Sequence, residues 1–218
     1  MQWCFDYLAQ IAASADPLCV NSLLSNDEYE VHRRTFLTIG RRIKRQRRVR
    51  LDQDFSLLIE SPETVWLQIQ EEKRWYAHPT ATQVRRIIDD YRQLVAGPDE
   101  LRASLFLDSQ DPVRTEHYAT RVTIDSIFLR CWLNGWVMDA SPVDDEQSGL
   151  DAVNYIVFKK VAYSAIRTPS IQWGSAHQPM SALPRTMARS LIGSLQQNQL
   201  FGKHCTPTAE PGAGGMIR

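Results

Sequence analysis

Cysteine is scarce in this chain and never paired in sequence. The four, at positions 4, 19, 131 and 205, make no C-x-x-C motif, which excludes zinc ribbons and thioredoxin-type redox centres. Long apolar runs are missing as well. A membrane helix needs roughly 18 nearly uncharged residues; the best stretch, Ile127 to Met138, is short and contains Arg130. No Lys or Arg precedes Arg33, so the start lacks the basic region and apolar core of a secretory signal. The expectation is a soluble cytoplasmic protein.

Motifs of familiar chemistry are also lacking. There is no phosphate-cradling G-x-x-x-x-G-K-[ST] or G-x-G-x-x-G, where glycines would let the backbone approach a phosphate. There is no G-x-S-x-G nucleophile elbow. The five histidines, at 32, 78, 117, 177 and 204, form no H-x-x-x-H pair, the spacing that puts two imidazoles on one helix face for a metal. Glu71, Glu72 and His78 lie close in sequence and could meet at the end of a strand, whereas the adjacent acids Asp89-Asp90 and Asp144-Asp145-Glu146 mostly face water. No cofactor is expected. An enzyme or cofactor carrier whose site is assembled from distant residues remains an open alternative.

What is present is an ordinary globular composition. The chain has 218 residues, 43% of them hydrophobic and 23% charged, enough to bury a core. Residues 1–25 read as an N-terminal appendage, in which Phe5, Leu8 and Ile11 suggest a short amphipathic helix before Pro17. Residues 26–198 read as a single domain, and 199–218, rich in Gly and Pro, as a disordered tail.

Within the domain, Ser25 and Glu28 form a capping box. Tyr29, His32, Phe36, Ile39 and Ile43 then give one apolar stripe on a long helix. His32 on that stripe reads as a packed core residue. Phe55-Leu57-Ile59 and Val65-Leu67-Ile69 alternate around Ser61-Pro62-Glu63, the pattern of a β-hairpin that puts Trp66, Gln68 and Gln70 on one face. A second helix follows Pro79-Thr80 and ends at Gly97-Pro98. Strands are expected at 101–107, 127–133, 136–138 and 152–158, with Asn134-Gly135 as a tight hairpin turn. Residues 139–151 form a polar loop with Asp144, Asp145 and Glu146. Residues 163–175 suggest one more strand, although Pro169 argues for an edge or a break, and Pro184–Leu195 reads as the last helix. Strands in hairpins, without β-α-β alternation, indicate an α+β fold: a mostly antiparallel sheet with two or three packing helices. Cys131 falls in a strand core, where a thiol behaves as a small hydrophobe; Cys4, Cys19 and Cys205 lie in the flanks, where exposure is more common.

One segment breaks the charge balance. Of the ten residues Arg41 to Arg50, seven are basic and none acidic. The other 208 residues then carry 18 basic and 25 acidic side chains, a net of −7. Arginine forks match phosphate and carboxylate, so the run is a candidate nucleic-acid or phosphate site, with Trp66, Trp75 and Tyr76 as candidate stacking aromatics. A helix end stabilised by cations explains it equally well, as does docking of an acidic loop of the same chain.

The order of these segments carries a resemblance. The run Arg41 to Val49, the stretch Leu58-Ile59-Glu60 to Thr64-Val65, Leu67-Gln68-Ile69-Gln70-Glu71, Gly97-Pro98-Asp99-Glu100-Leu101, Asp144 to Ser148, and Ala152-Val153-Asn154-Tyr155 with Phe158 together resemble the bacterial family called domain of unknown function 3501. The likeness spans roughly residues 25–196. It implies no reaction. By association it implies an accessory part in a redox or oxidative-stress system, with a rubrerythrin-like or iron–sulfur protein as partner. On that reading Arg42, Arg47, Arg48, Gln68, Gln70 and Glu71 form the functional face; the competing reading makes them a structural network with Glu71 as the counter-ion.

Overall fold

The computed structural model describes residues 1–14, 16–122, 128–143 and 149–202. The expected acidic loop Asp144–Glu146, His204, Cys205 and the tail from 203 lie outside the described residues.

Helix α1 (Gln2–Ala13) buries Cys4, Leu8 and Ile11 along one stripe. Cys4 is therefore enclosed, not exposed as its place in the flank suggested. After a single 3-10 turn at Val20–Ser22, Ser25 caps α2 (Asn26–Arg47). The Ser25 hydroxyl accepts from Glu28 N at 3.2 Å, and Glu28 reaches back to Ser25 N at 3.0 Å, satisfying two amides that the first turn leaves unpaired.

The chain passes from α2 into β1 (Arg48–Arg50) without a loop, then into β2 (Phe55–Ile59). Here the expected hairpin fails. Residues Pro62–Lys73 are a helix, α3. Ser61 is its N-cap and Pro62 opens its first turn, a position where the missing N–H is harmless, while Thr64 Oγ1 accepts from Ser61 N at 2.9 Å. The alternation of Val65, Leu67 and Ile69 misled because α3 is buried on nearly every side: Val65, Trp66, Leu67, Ile69 and Gln70 are all enclosed. A helix without a wet face loses its 3.6-residue period. The true neighbours of β2 are β1 and the later strand β3 (Glu100–Leu107).

Helix α4 (Ala81–Arg92), capped by Thr80 and Gln83, precedes β3 as expected. Helix α5 (Pro112–Arg121) was not legible. None of its residues is fully buried, so it has no apolar stripe; Asp111 caps it by accepting from Val113 N at 2.9 Å. Then come β4 (Phe128–Leu133), β5 (Trp136–Pro142), β6 (Val153–Tyr163), β7 (Ser170–Gly174), β8 (Ser181–Ala182) and α6 (Arg185–Gly202). Asn134 (φ 51°) and Gly135 (φ 83°) turn β4 into β5 with the two positive φ values a type I′ hairpin demands.

The eight strands form one sheet in the order β1-β2-β3-β6-β5-β4-β7-β8, and every pair is antiparallel. The α+β class expected from the hairpins is the fold adopted. The sheet curls strongly. Phe55 on β2 and Trp173 on β7, with four strands between them in the order, bring their ring centroids within 4.9 Å. The concave face holds one core, from Leu57, Leu105, Cys131, Met138 and Phe158, and α6 fills it with Met187, Leu191 and Leu195. A second core lies among α1 to α4, around Tyr29, Phe36, Trp66 and Ile69. Gly40 lets α2 approach α3, since a Cβ there would sit 2.5 Å from Leu67 Cδ1.

Candidate binding surface

The basic run straddles the corner where α2 becomes β1, and the corner sends its arginines in different directions. Arg47 points inward and is 4% exposed. Its Nε donates to the Ile59 carbonyl (2.9 Å), Nη2 to the Glu60 carbonyl (2.8 Å) and Nη1 to Ser190 Oγ (2.6 Å). Burial pushes its pKa down, opposed by the fields of Glu63 and Glu60; arginine's high intrinsic value keeps it charged. Arg47 is a tie between α2, the end of β2 and α6.

Arg48 turns the other way. Its Nε and Nη2 reach Ser56 Oγ at 3.0 and 2.7 Å, Nη2 also meets Asp108 at 3.1 Å, and the guanidinium lies 4.4 Å above the Phe106 ring. Arg41, Arg42 and Arg45 project from the last turns of α2 into solvent. None has an ion-pair partner among the described residues.

The remaining candidates belong to α3. Gln68 is half-buried. Gln70 is 1% exposed, with neither side-chain polar atom hydrogen-bonded. Glu71 accepts from the Tyr29 hydroxyl (2.9 Å) and from Arg33 Nε (2.8 Å) and Nη2 (2.7 Å). Burial raises its pKa, but Arg33 and Tyr29 outweigh that and hold the carboxyl below its usual range. Glu71 is thus the counter-ion of Arg33, not of the run. Its partners precede Arg42 on α2 by roughly 13–20 Å at 1.5 Å per residue. The structure therefore brings Arg42, Arg47 and Arg48 to one end of α2 and places Gln68, Gln70 and Glu71 along α3, so the six do not share a face.

The candidate stacking aromatics are also apart from the run. Trp66 is wholly buried, its Nε1 donating to the Ser22 carbonyl at 2.6 Å. Trp75 and Tyr76 sit at the other end of α2, where Asn26 Nδ2 donates to the Tyr76 carbonyl at 2.8 Å. His32 packs on Trp3 with ring centroids 4.6 Å apart. Cys131 lies in the sheet core, where burial pushes its thiol up to about 12.

Where Arg48 emerges, a cleft of about 760 Å³ opens between β1, β2 and the start of α5. Arg48, Arg50 and Arg114 line it together with Asp54, Asp108 and Asp111. Arg114 Nη1 pairs with Asp54 Oδ2 at 3.0 Å, and the Tyr118 hydroxyl reaches the same oxygen at 3.3 Å. Burial works against the charge on Asp54, but hydrogen bonds from Ser109, Arg114 and Tyr118 hold its pKa down. Sequence reasoning missed Arg114, Asp54 and Asp108. Only the Asp111-Pro112 cap, which marks the start of α5, offered a signal. Among the described residues no three His, Cys, Asp or Glu side chains gather as a metal site.

With this geometry in view, the comparisons are specific about kinship and silent about chemistry. A family model described as a protein of unknown function, DUF3501, matches residues 17–195. The chain belongs to this family. A crystal structure of a novel protein of unknown function from Burkholderia pseudomallei K96243 is similar, with 23% identity and a TM-score of 0.67, over 82% of this chain and 98% of that one. At that identity the likeness is one of fold. No curated protein matches. The family match begins after α1.

Proposed function

We propose that this protein is an accessory docking module, and that the exposed arginines at the end of α2, with the cleft beside them, receive carboxylates of a protein partner. The observation that supports this reading is that Arg41, Arg42 and Arg45 stand in solvent without ion-pair partners among the described residues, while Arg48, three residues on, opens into a cleft where arginines and aspartates alternate. Free guanidinium groups steer and orient an acidic surface, and a cleft of mixed charge suits side chains of both signs. The partner class we propose is a rubrerythrin-like or iron–sulfur redox protein with an acidic face.

The unpaired arginines also favour a second reading, nucleic-acid binding. Against it, Asp54, Asp108 and Asp111 line the cleft beside the run, and the candidate stacking aromatics Trp75 and Tyr76 are at the far end of α2.

The test is the triple charge reversal R41E/R42E/R45E, titrated against a rubrerythrin-like protein and against duplex DNA. The proposal expects the variant to remain folded and to lose binding to the acidic protein at least about ten-fold. Protein binding that survives the reversal overturns it. Binding only to DNA, with the steep salt dependence of counterion release, puts the second reading in its place.

A further inference from the structure

The curl of the sheet leaves one end open, and three aromatic side chains from three elements meet there. Phe55 of β2 forms the floor and is 2% exposed. Tyr118 of α5 stands over it at a centroid distance of 4.8 Å and 77°, and Trp173 of β7 at 4.9 Å and 51°. Together with Leu51, Val122 and Asp52 they line a pocket of about 340 Å³. This is a separate place from the arginine cleft, although both adjoin the turn between β1 and β2.

The charge of this pocket is its informative property. Among the described residues no Lys or Arg lines it, and Asp52 is the only formally charged group in the lining. The Asp52 carboxylate is fixed. Oδ1 accepts from Asp54 N and Phe55 N, each at 2.8 Å, and Oδ2 accepts from Trp173 Nε1 at 2.6 Å. All three donors are neutral, and among the described residues no ion pair offsets the carboxylate; the Arg50 Nε donates instead to the Asp52 backbone carbonyl at 2.8 Å. Aromatic faces carry negative potential and attract cations. An anion would meet both the carboxylate and the ring faces. A neutral apolar guest would take water from Asp52 and offer nothing in return. An alkylated ammonium group satisfies both: its methyl groups pack on the rings and its diffuse charge answers the carboxylate.

We propose that this pocket binds the quaternary ammonium head of a small organic cation. It needs none of the arginines assigned to partner docking, so the two can fail separately.

The test compares choline with 3,3-dimethyl-1-butanol, the neutral carbon isostere of the same shape. Each is titrated into the full-length protein at constant ionic strength while the Trp173 indole N–H resonance is followed, assigned by its loss in Trp173→Phe. Saturable binding of choline, about ten-fold or more tighter than the isostere, is expected. In Asp52→Asn the choline affinity should fall towards that of the isostere, with the unfolding midpoint as the control for folding. Equal binding of the two compounds overturns the proposal, because shape alone would then account for it. No response to choline overturns it as well, and so does binding confined to a trimethyllysine peptide, which would make the pocket a reader of protein side chains. If Asp52→Asn does not fold, the contrast between choline and isostere in the unaltered protein still decides.

Discussion

Arg47 Nη1 donates to Ser190 Oγ at 2.6 Å across 143 positions of sequence. With Nε and Nη2 on the carbonyls of Ile59 and Glu60, this guanidinium joins the end of α2, the end of β2 and α6. Removing it leaves two buried carbonyls without donors, the costly half of losing a hydrogen bond. Arg47→Met should lower unfolding stability by about 3 kcal/mol. Arg47→Lys should recover only part, because one ammonium cannot span carbonyls and hydroxyls as the planar fork does. Urea denaturation measures both. By contrast, neutralising exposed Arg42 should change stability by no more than about 0.5 kcal/mol.

The Glu71–Arg33 pair predicts a pH dependence. The folded state holds the Glu71 carboxyl below its unfolded pKa. Its contribution is therefore complete above the unfolded value and is lost as pH falls through the folded one. Arg33 stays charged throughout. Glu71→Gln should flatten the acid limb of the stability curve and cost about 1 kcal/mol at neutral pH, a modest figure because the pair is partly exposed. Denaturation midpoints from neutral pH down to the acid range test this. A variant whose acid limb parallels the parent's would remove Glu71 from the account.

Thiol reactivity should follow burial. Cys131 is enclosed with its pKa raised to about 12, and burial also raises that of Cys4. The thiolate is the reactive form, so both should resist iodoacetamide at mildly alkaline pH until the protein unfolds, while half-buried Cys19 reacts before either of them. Peptide mapping after timed alkylation reads the order.

Gly149 lies directly on α5: a Cβ there would overlap the Ala119 carbonyl oxygen, and Leu150 N donates to the Tyr118 carbonyl beside it. The obstacle is backbone, which cannot rotate away. Gly149→Ala should cost about 1–3 kcal/mol. A thermal midpoint equal to the parent's would show that the 149–151 segment does not rest on α5.

Legibility in the sequence followed local physics. The Ser25 box, the stripe of α2, Thr80 before α4 and the Asn134-Gly135 turn were readable because capping and turn chemistry sit within a few residues. The stretch 62–73 alternates like a strand because a helix enclosed by three others shows no 3.6-residue period, although Ser61-Pro62 is as good a helix start as a turn. Helix α5 was invisible because it buries no stripe. The binding surface was half legible. The run itself stood out, but nothing in its composition tells Arg47, which faces carbonyls, from Arg48, which faces Asp108. Asp54, Asp108 and Arg114 meet only because the sheet pairs β2 with β3 and α5 follows β3.

The central claim is that the exposed arginines of α2, and not those bound up in the fold, meet the partner. It is tested most directly by observing arginine Nε–Hε resonances while an acidic rubrerythrin-like protein is added. The signals of Arg41, Arg42 and Arg45 should shift together and return when salt is raised, while that of Arg47 stays in place. Shifts confined to arginines outside the end of α2, such as Arg33 and Arg74, would contradict it.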